Sequence, residues 1–131
     1  SKHLGVASCA TGVCHGKLTE QETSNVWLNE YRIWSGEDRH ARAYQTLLSN
    51  ESKEIARKLG LPSAHTAKIC LDCHTDNVPP EQRGPKFQLS DGVGCEACHG
   101  GAERWLESHT EPGVAHADNL ARGMLATEDI N

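Results

Sequence analysis

Three short stretches carry the reactive side chains of this 131-residue chain: Cys9-Ala10-Thr11-Gly12-Val13-Cys14-His15, Cys70-Leu71-Asp72-Cys73-His74 and Cys95-Glu96-Ala97-Cys98-His99. Together they use all six cysteines, and each ends in a histidine directly after its second cysteine. Two thiols three residues apart with a histidine next is the attachment pattern of a c-type haem. On a helix, positions i and i+3 share a face, so both thiols can meet one edge of a porphyrin. The following histidine can then turn its imidazole beneath the ring as the proximal iron ligand. The first stretch has four residues between its cysteines and needs a bulge or an extra turn to do the same.

Two other chemistries use the same cysteines. Cys70, Cys73, Cys95 and Cys98 form two pairs at nearly zinc-ribbon spacing, and six cysteines could close three disulfides in a small exported protein. Neither requires a histidine after every pair. With 8 histidines in 131 residues, three such coincidences have a chance probability on the order of one in several thousand if the composition is taken as random. The spacing therefore favours three covalently attached haem c groups, with Cys9, Cys14, Cys70, Cys73, Cys95 and Cys98 as attachment residues and His15, His74 and His99 as proximal ligands.

Composition agrees with a cofactor-filled interior. The chain is long enough for one domain, but only 37% is apolar, with one Phe and one Met, which is thin for a self-sufficient core. Three haems supply the missing apolar bulk, so folding and attachment should be inseparable, as for a structural metal in a small metallodomain. The formal charge of −5, to which haem propionates would add, disfavours nucleic acid and anionic membrane and favours cationic patches on redox partner proteins. No apolar run reaches the length of a membrane span, and the opening Ser1-Lys2-His3 is not a signal sequence. The chain thus reads as a mature product or an excised piece. Covalent haem attachment takes place outside the bacterial cytoplasmic membrane, which implies the periplasm or beyond, and the periplasm is the location expected here.

The elements around these sites read as short helices and loops, with no strand signal. Thr23-Ser24-Asn25 offers an N-cap for a helix over Val26–Trp34, on which Trp27, Tyr31 and Trp34 share one face. Ser35-Gly36 ends it, and Glu37-Asp38 starts a second helix through Leu48, with His40 on the face of Ala43, Tyr44 and Leu47. Ser49-Asn50 caps a third, Glu51–Leu59, closed by Gly60 and stopped by Pro62, with Ile55 and Leu59 on its buried side. Ser63 caps a fourth that runs from Ala64 into the second haem site. Residues 76–85, with three prolines and a glycine, form a loop. Ala102, Trp105, Leu106 and His109 mark an amphipathic helix, and His116 opens a last segment through Gly123 with Leu120 and Met124 at helical spacing.

Five histidines remain for the sixth coordination position of three irons. His40 and His109, each on an apolar helical face, are the distal ligands this pattern favours. On a continuous fourth helix His65 lies nine residues from His74, and at about 100° per residue the two point to opposite faces. His65 then suits a neighbouring haem or a supporting role. His116 is a further candidate, and His3, near the chain terminus, is the weakest.

With these pieces assembled, the chain resembles the multihaem c-type cytochromes of the cytochrome c-554-like family, and among them uncharacterised proteobacterial members that share the long first site. The resemblance is carried by Trp34 with Arg39-His40-Ala41-Arg42-Ala43, by Cys70 to Thr75, by Gly92 to Gly101, and by Trp105-Leu106 with His109-Thr110. It implies a mainly α multihaem fold of short helices and long loops wrapped around three haems, over a single domain 1–131. By matching position it also implies cross-ligation: His40 to the haem of Cys95, Cys98 and His99, and His109 to the haem of Cys9, Cys14 and His15, these two haems forming a closely stacked pair. In the family's tetrahaem relative the haem matching Cys70, Cys73 and His74 has no protein distal ligand, whereas His65 and His116 here are candidates for it. In longer relatives a run like Gly123–Asp129 leads into a fourth haem site, while this sequence stops at Asn131. It is therefore either a domain of a longer cytochrome or a short triheme form.

The function expected on these grounds is periplasmic electron transfer through three closely packed haems with bis-histidine ligation. The rival expectation is a small-molecule reductase or gas-binding site of the nitric oxide type at an open second haem, with Arg83, Lys86 and Arg104 as nearby cations. A third is a docking module that wires a larger redox complex to its donor.

Overall fold

The computed structural model describes residues 1–24 and 26–129. Six short α-helices lie among them: α1 (Glu30–Gly36), α2 (Ala43–Thr46), α3 (Asn50–Lys58), α4 (Lys68–His74), α5 (Cys95–His99) and α6 (His116–Ala121), with 3-10 turns in most of the connections. The described residues contain no strand beyond an isolated bridge between His3 and Arg83. The mainly α class expected from the sequence is what the chain adopts.

Apolar packing is sparse. Leu47, Ala56, Ala64 and Leu71 form one cluster, backed by Tyr44, Leu61 and Cys70. Val6, Ala102 and Trp105 are buried elsewhere. Three of these seven buried side chains are alanines, and among the described residues no large side chain is fully enclosed. Such a polypeptide removes too little apolar surface from water to offset chain entropy comfortably, in keeping with a chain that folds around something else.

Local chemistry moves several expected boundaries. The helix expected from Val26 starts only at Glu30 and continues through Gly36. The Ser24 hydroxyl pairs with both Val26 backbone groups, while Lys17 N–H donates to Leu28 O at 2.8 Å and Gln21 N–H to Trp27 O. These side-chain and cross-loop bonds compete with a helical turn, and Leu28 takes φ 64°. Trp27 is consequently 52% exposed, and only Tyr31 and Trp34 pair, with ring centres 6.1 Å apart. Of the expected cap, Asn25 lies outside the described residues, as does the terminal Asn131.

Asp38 caps a 3-10 turn, Arg39–Arg42, that leads directly into α2. Ser49 caps α3 as expected, its oxygen accepting from Ser52 N–H. The buried side of α3 is Ser52 and Ala56, however, and Ile55 and Leu59 are 50% and 62% exposed. Small residues face inward because α3 packs close to the Ala64–Thr66 turn. The expected continuous fourth helix is broken at Ala67, which is extended (φ −83°, ψ 125°) between that turn and α4. Ser63 and Thr66 pair their hydroxyls across the turn rather than capping a helix. The opposite-face argument for His65 therefore has no helix to rest on.

Between Ala102 and Thr110 the amphipathic helix is replaced by two 3-10 turns, Ala102–Arg104 and Ser108–Thr110. The residues buried there, Ala102, Trp105 and Ser108, recur every three residues, the period of a 3-10 rather than an α-helix.

Candidate functional site

The three cysteine stretches adopt one hydrogen-bond plan despite their different lengths. In α4 and α5 helical geometry directs the amide of His74 or His99 at the carbonyl of the first cysteine, four residues back. In the first stretch His15 N–H donates to Cys9 O at 3.1 Å, six residues back. The two extra residues are taken up in a loop closed by bonds from Cys14 N–H and Gly16 N–H to Thr11 O. Gly16 is essential to that closure, because a Cβ there would lie 2.0 Å from Ala10 O.

The first and third stretches are neighbours. The Cys9 thiol shares a hydrogen bond with Cys95, which raises the Cys9 pKa far above the thiol range, with burial adding to the effect. The same bond lowers that of Cys95. The His99 ring is held below the ordinary histidine value by desolvation and, next, by nearby His15. None of the six cysteines is paired in a disulfide. Among the described residues no three His, Cys, Asp or Glu side chains converge on a point that could hold a metal ion.

His109 faces His15. Their ring centres are 6.3 Å apart and their planes differ by 10°. Two imidazoles bound to one metal would place their ring centres roughly 6 Å apart, given metal–nitrogen bonds of about 2 Å. Trp105 stands edge-on to His109 at 5.4 Å, and its buried Nε1–H finds no protein acceptor. An iron-sized gap between imidazoles, next to an orphaned buried donor, fits a haem at this position.

His40 is brought to the third stretch by the backbone. Val93 N–H donates to His40 O at 3.0 Å, and Trp34 Nε1–H to Val93 O at 2.9 Å. Gly92, at φ 76°, permits this approach, since a Cβ would lie 2.5 Å from His40 O.

Several histidines have Nδ1 engaged, which leaves Nε2 free for a metal, as is usual for ligating histidines. His15 Nδ1 is 3.4 Å from Glu30 Oε2 and His40 Nδ1 2.9 Å from Asp38 Oδ1. His74 Nδ1 lies 2.8 Å from Ala43 O and His109 Nδ1 2.5 Å from Leu106 O. His3 Nδ1 is 2.6 Å from Asp76 Oδ2, with both side chains largely covered, and its ring edge packs on Gly101. His65, on the Ala64–Thr66 turn, and His116, at the start of α6, are exposed, and neither ring has a hydrogen-bond partner among those described. Of the cations expected near an open second haem, Arg83 is tied to Val78 O and lies over the Phe87 ring; Lys86 and Arg104 are exposed.

Sequence reasoning missed the carboxylates that serve these histidines. Asp38 reads only as a residue near a helix start, and Glu30 and Asp76 lie far in sequence from His15 and His3. Glu96 was visible inside its motif, but its three backbone partners were not.

The sequence matches the family described as cytochrome c554 and c-prime over residues 8–100. It is 36% identical over 85 residues to cytochrome c-554 of Nitrosomonas europaea, an alignment covering 58% of this chain and 35% of that protein. The match thus takes in about a third of that relative's length. No solved structure matches the chain.

Proposed function

The chain belongs to the cytochrome c554 and c-prime family, and on that premise we propose that it is a periplasmic c-type cytochrome that transfers electrons through three haem c groups. Cys9, Cys14 and His15 hold the first, Cys70, Cys73 and His74 the second, and Cys95, Cys98 and His99 the third. His109 is the distal ligand of the first haem and His40 that of the third. The observation that carries this reading is the His15–His109 pair, near-parallel rings spaced as two imidazoles on one metal would be.

Bound haem iron supplies one-electron chemistry. The polypeptide holds the imidazoles and sets the spacing. Glu30, Asp38 and two backbone carbonyls fix ring orientation through Nδ1, which also raises ligand basicity. The adjacency of Cys9 to Cys95 supports a first and third haem in close proximity, the arrangement that lets electrons pass between them without bond chemistry. Among the described residues no helix is long and apolar enough to cross a membrane. The net negative chain suits docking to cationic patches on redox partners.

The test is spectroscopic. Mass measurement should find three attached haems, and paramagnetic resonance of the oxidised protein should show low-spin signals from the first and third. His109→Ala and His40→Ala should each convert one haem to high spin. A fully low-spin spectrum in either variant would refute that ligand assignment.

A second reading concerns the haem of His74. His65 and His116 are its distal candidates, and their unanchored rings, unlike those of His40 and His109 with Nδ1 engaged, favour a second haem with an open position that could bind or reduce a small nitrogen compound. Carbon monoxide added to the reduced wild-type protein decides: binding at one haem supports the open position, and no spectral change eliminates it. His65→Ala and His116→Ala then identify the ligand, since only loss of the true one creates a new binding site.

A further inference from the structure

We propose that Glu96, although it lies inside the third attachment motif, is the positioning residue for the sixth ligand of the first haem. This inference rests on the ligation reading above. Glu96 is 5% exposed, and its carboxylate meets no cation. Oε1 accepts from Gly5 N–H at 2.7 Å, and Oε2 accepts from Leu4 N–H at 2.8 Å and Ala102 N–H at 2.7 Å. One buried side chain thus joins two segments that are about a hundred residues apart in sequence.

Each segment leads by a chain of backbone bonds to one face of the first haem. From Gly5, Ser8 N–H returns to Gly5 O, Cys9 N–H to Val6 O and His15 N–H to Cys9 O, which ends at the proximal imidazole. From Ala102, Trp105 and Leu106 N–H return to Ala102 O and His109 N–H to Trp105 O, which ends at the distal imidazole. Glu96 is where the two chains of bonds meet, so it sets the separation of His15 and His109. The other ties between the segments include Lys2 with Glu103 and the Ser1 hydroxyl with Gly101 O. They are more accessible to water, where hydrogen bonds contribute least. The link from His40 to the third haem runs through Val93 N–H and the Gly92 contact and does not pass through the Glu96 carboxylate.

A substitution at Glu96 should therefore disturb the first haem and leave the third intact, the reverse of what its place in the sequence suggests. Glu96→Ala leaves three buried amides without acceptors. Glu96→Gln keeps the size but turns an N–H donor toward at least one of them, so its effect is milder and in the same direction.

The experiment compares the holo forms of Glu96→Ala and Glu96→Gln with His109→Ala and His40→Ala, by paramagnetic resonance when oxidised and by carbon monoxide titration when reduced. The expected result is a His109→Ala-type signature in Glu96→Ala. In Glu96→Gln, carbon monoxide affinity at that same haem should rise by up to about tenfold, the low end of the effect of a direct outer-shell partner, since Glu96 touches neither imidazole and acts through the backbone. A His40→Ala-type signature in either variant, or a Glu96→Gln protein with wild-type spectrum and affinity, overturns the proposal. If Glu96→Ala does not accumulate, Glu96→Gln decides alone. If His109→Ala itself stays low-spin, the ligation reading fails and this inference with it, whereas a high-spin His109→Ala beside an unaltered Glu96→Gln refutes only the role of Glu96.

Discussion

Asp38 offers a quantitative test of how the fold holds an imidazole in place. A single oxygen, Oδ1, accepts both the His40 backbone N–H and the His40 ring Nδ1–H, each at 2.9 Å. Asp38→Ala removes both bonds. Loss of the cap costs about 1 kcal/mol, and loss of an outer-shell partner lowers ligand affinity by about 10–100-fold. On the proposed ligation, carbon monoxide should then bind the third haem of reduced Asp38→Ala about 10–100 times more tightly than in the parent. Asp38→Asn keeps an oxygen that can accept both bonds and, as Asn caps as well as Asp, should bind within a few-fold of the parent. Optical titration on all three proteins measures this. If Asp38→Ala binds no better than the parent while His40→Ala does, Asp38 does not position the ring and the reasoning is refuted.

Other outcomes follow from single contacts. Gly16→Ala would drive a Cβ to 2.0 Å from Ala10 O and open the first attachment loop, so mass measurement should find protein carrying one haem fewer; full loading would show that the loop relaxes. Ser49→Ala removes the α3 cap and should cost about 1 kcal/mol, read as a melting point lower by roughly 2–6 °C, with no change in the haem spectrum. Burial raises the pKa of Asp91, so its folded form holds the proton more tightly. The stability linked to that group is present at low pH and is lost as pH rises through the raised value. Asp91→Asn should accordingly be more stable than the parent at pH 7, by no more than about 1 kcal/mol for a group that water still reaches, and the difference should vanish in acid; melting curves across pH decide.

What could be read in the chain was local. A histidine directly after each cysteine pair marks the proposed attachment sites, Ser49 marks the start of α3, and sparse apolar content anticipates the thin core. What could not be read depended on competition between short-range bonds. Ser24 and Gln21 hold the chain open before Glu30, and the Ser63–Thr66 pair tightens a turn that breaks the expected fourth helix. Neither outcome follows from periodicity, since the apolar pattern over Val26–Trp34 suits a helix well. The inward face of α3 was misjudged for a related reason: close packing selects Ser52 and Ala56 over the larger Ile55 and Leu59.

The sequence by itself determined which residues carry the proposed chemistry, because thiol and imidazole must sit side by side along the backbone to serve one porphyrin edge and one iron. Tertiary structure decided which distant groups meet. The pairing of His15 with His109, the carboxylate behind His15, and the three amides gathered by Glu96 all join segments separated by loops or by most of the chain. Hydrogen bonds to backbone amides leave no trace in the identity of the partner residue, so such contacts become visible only when the chain is folded.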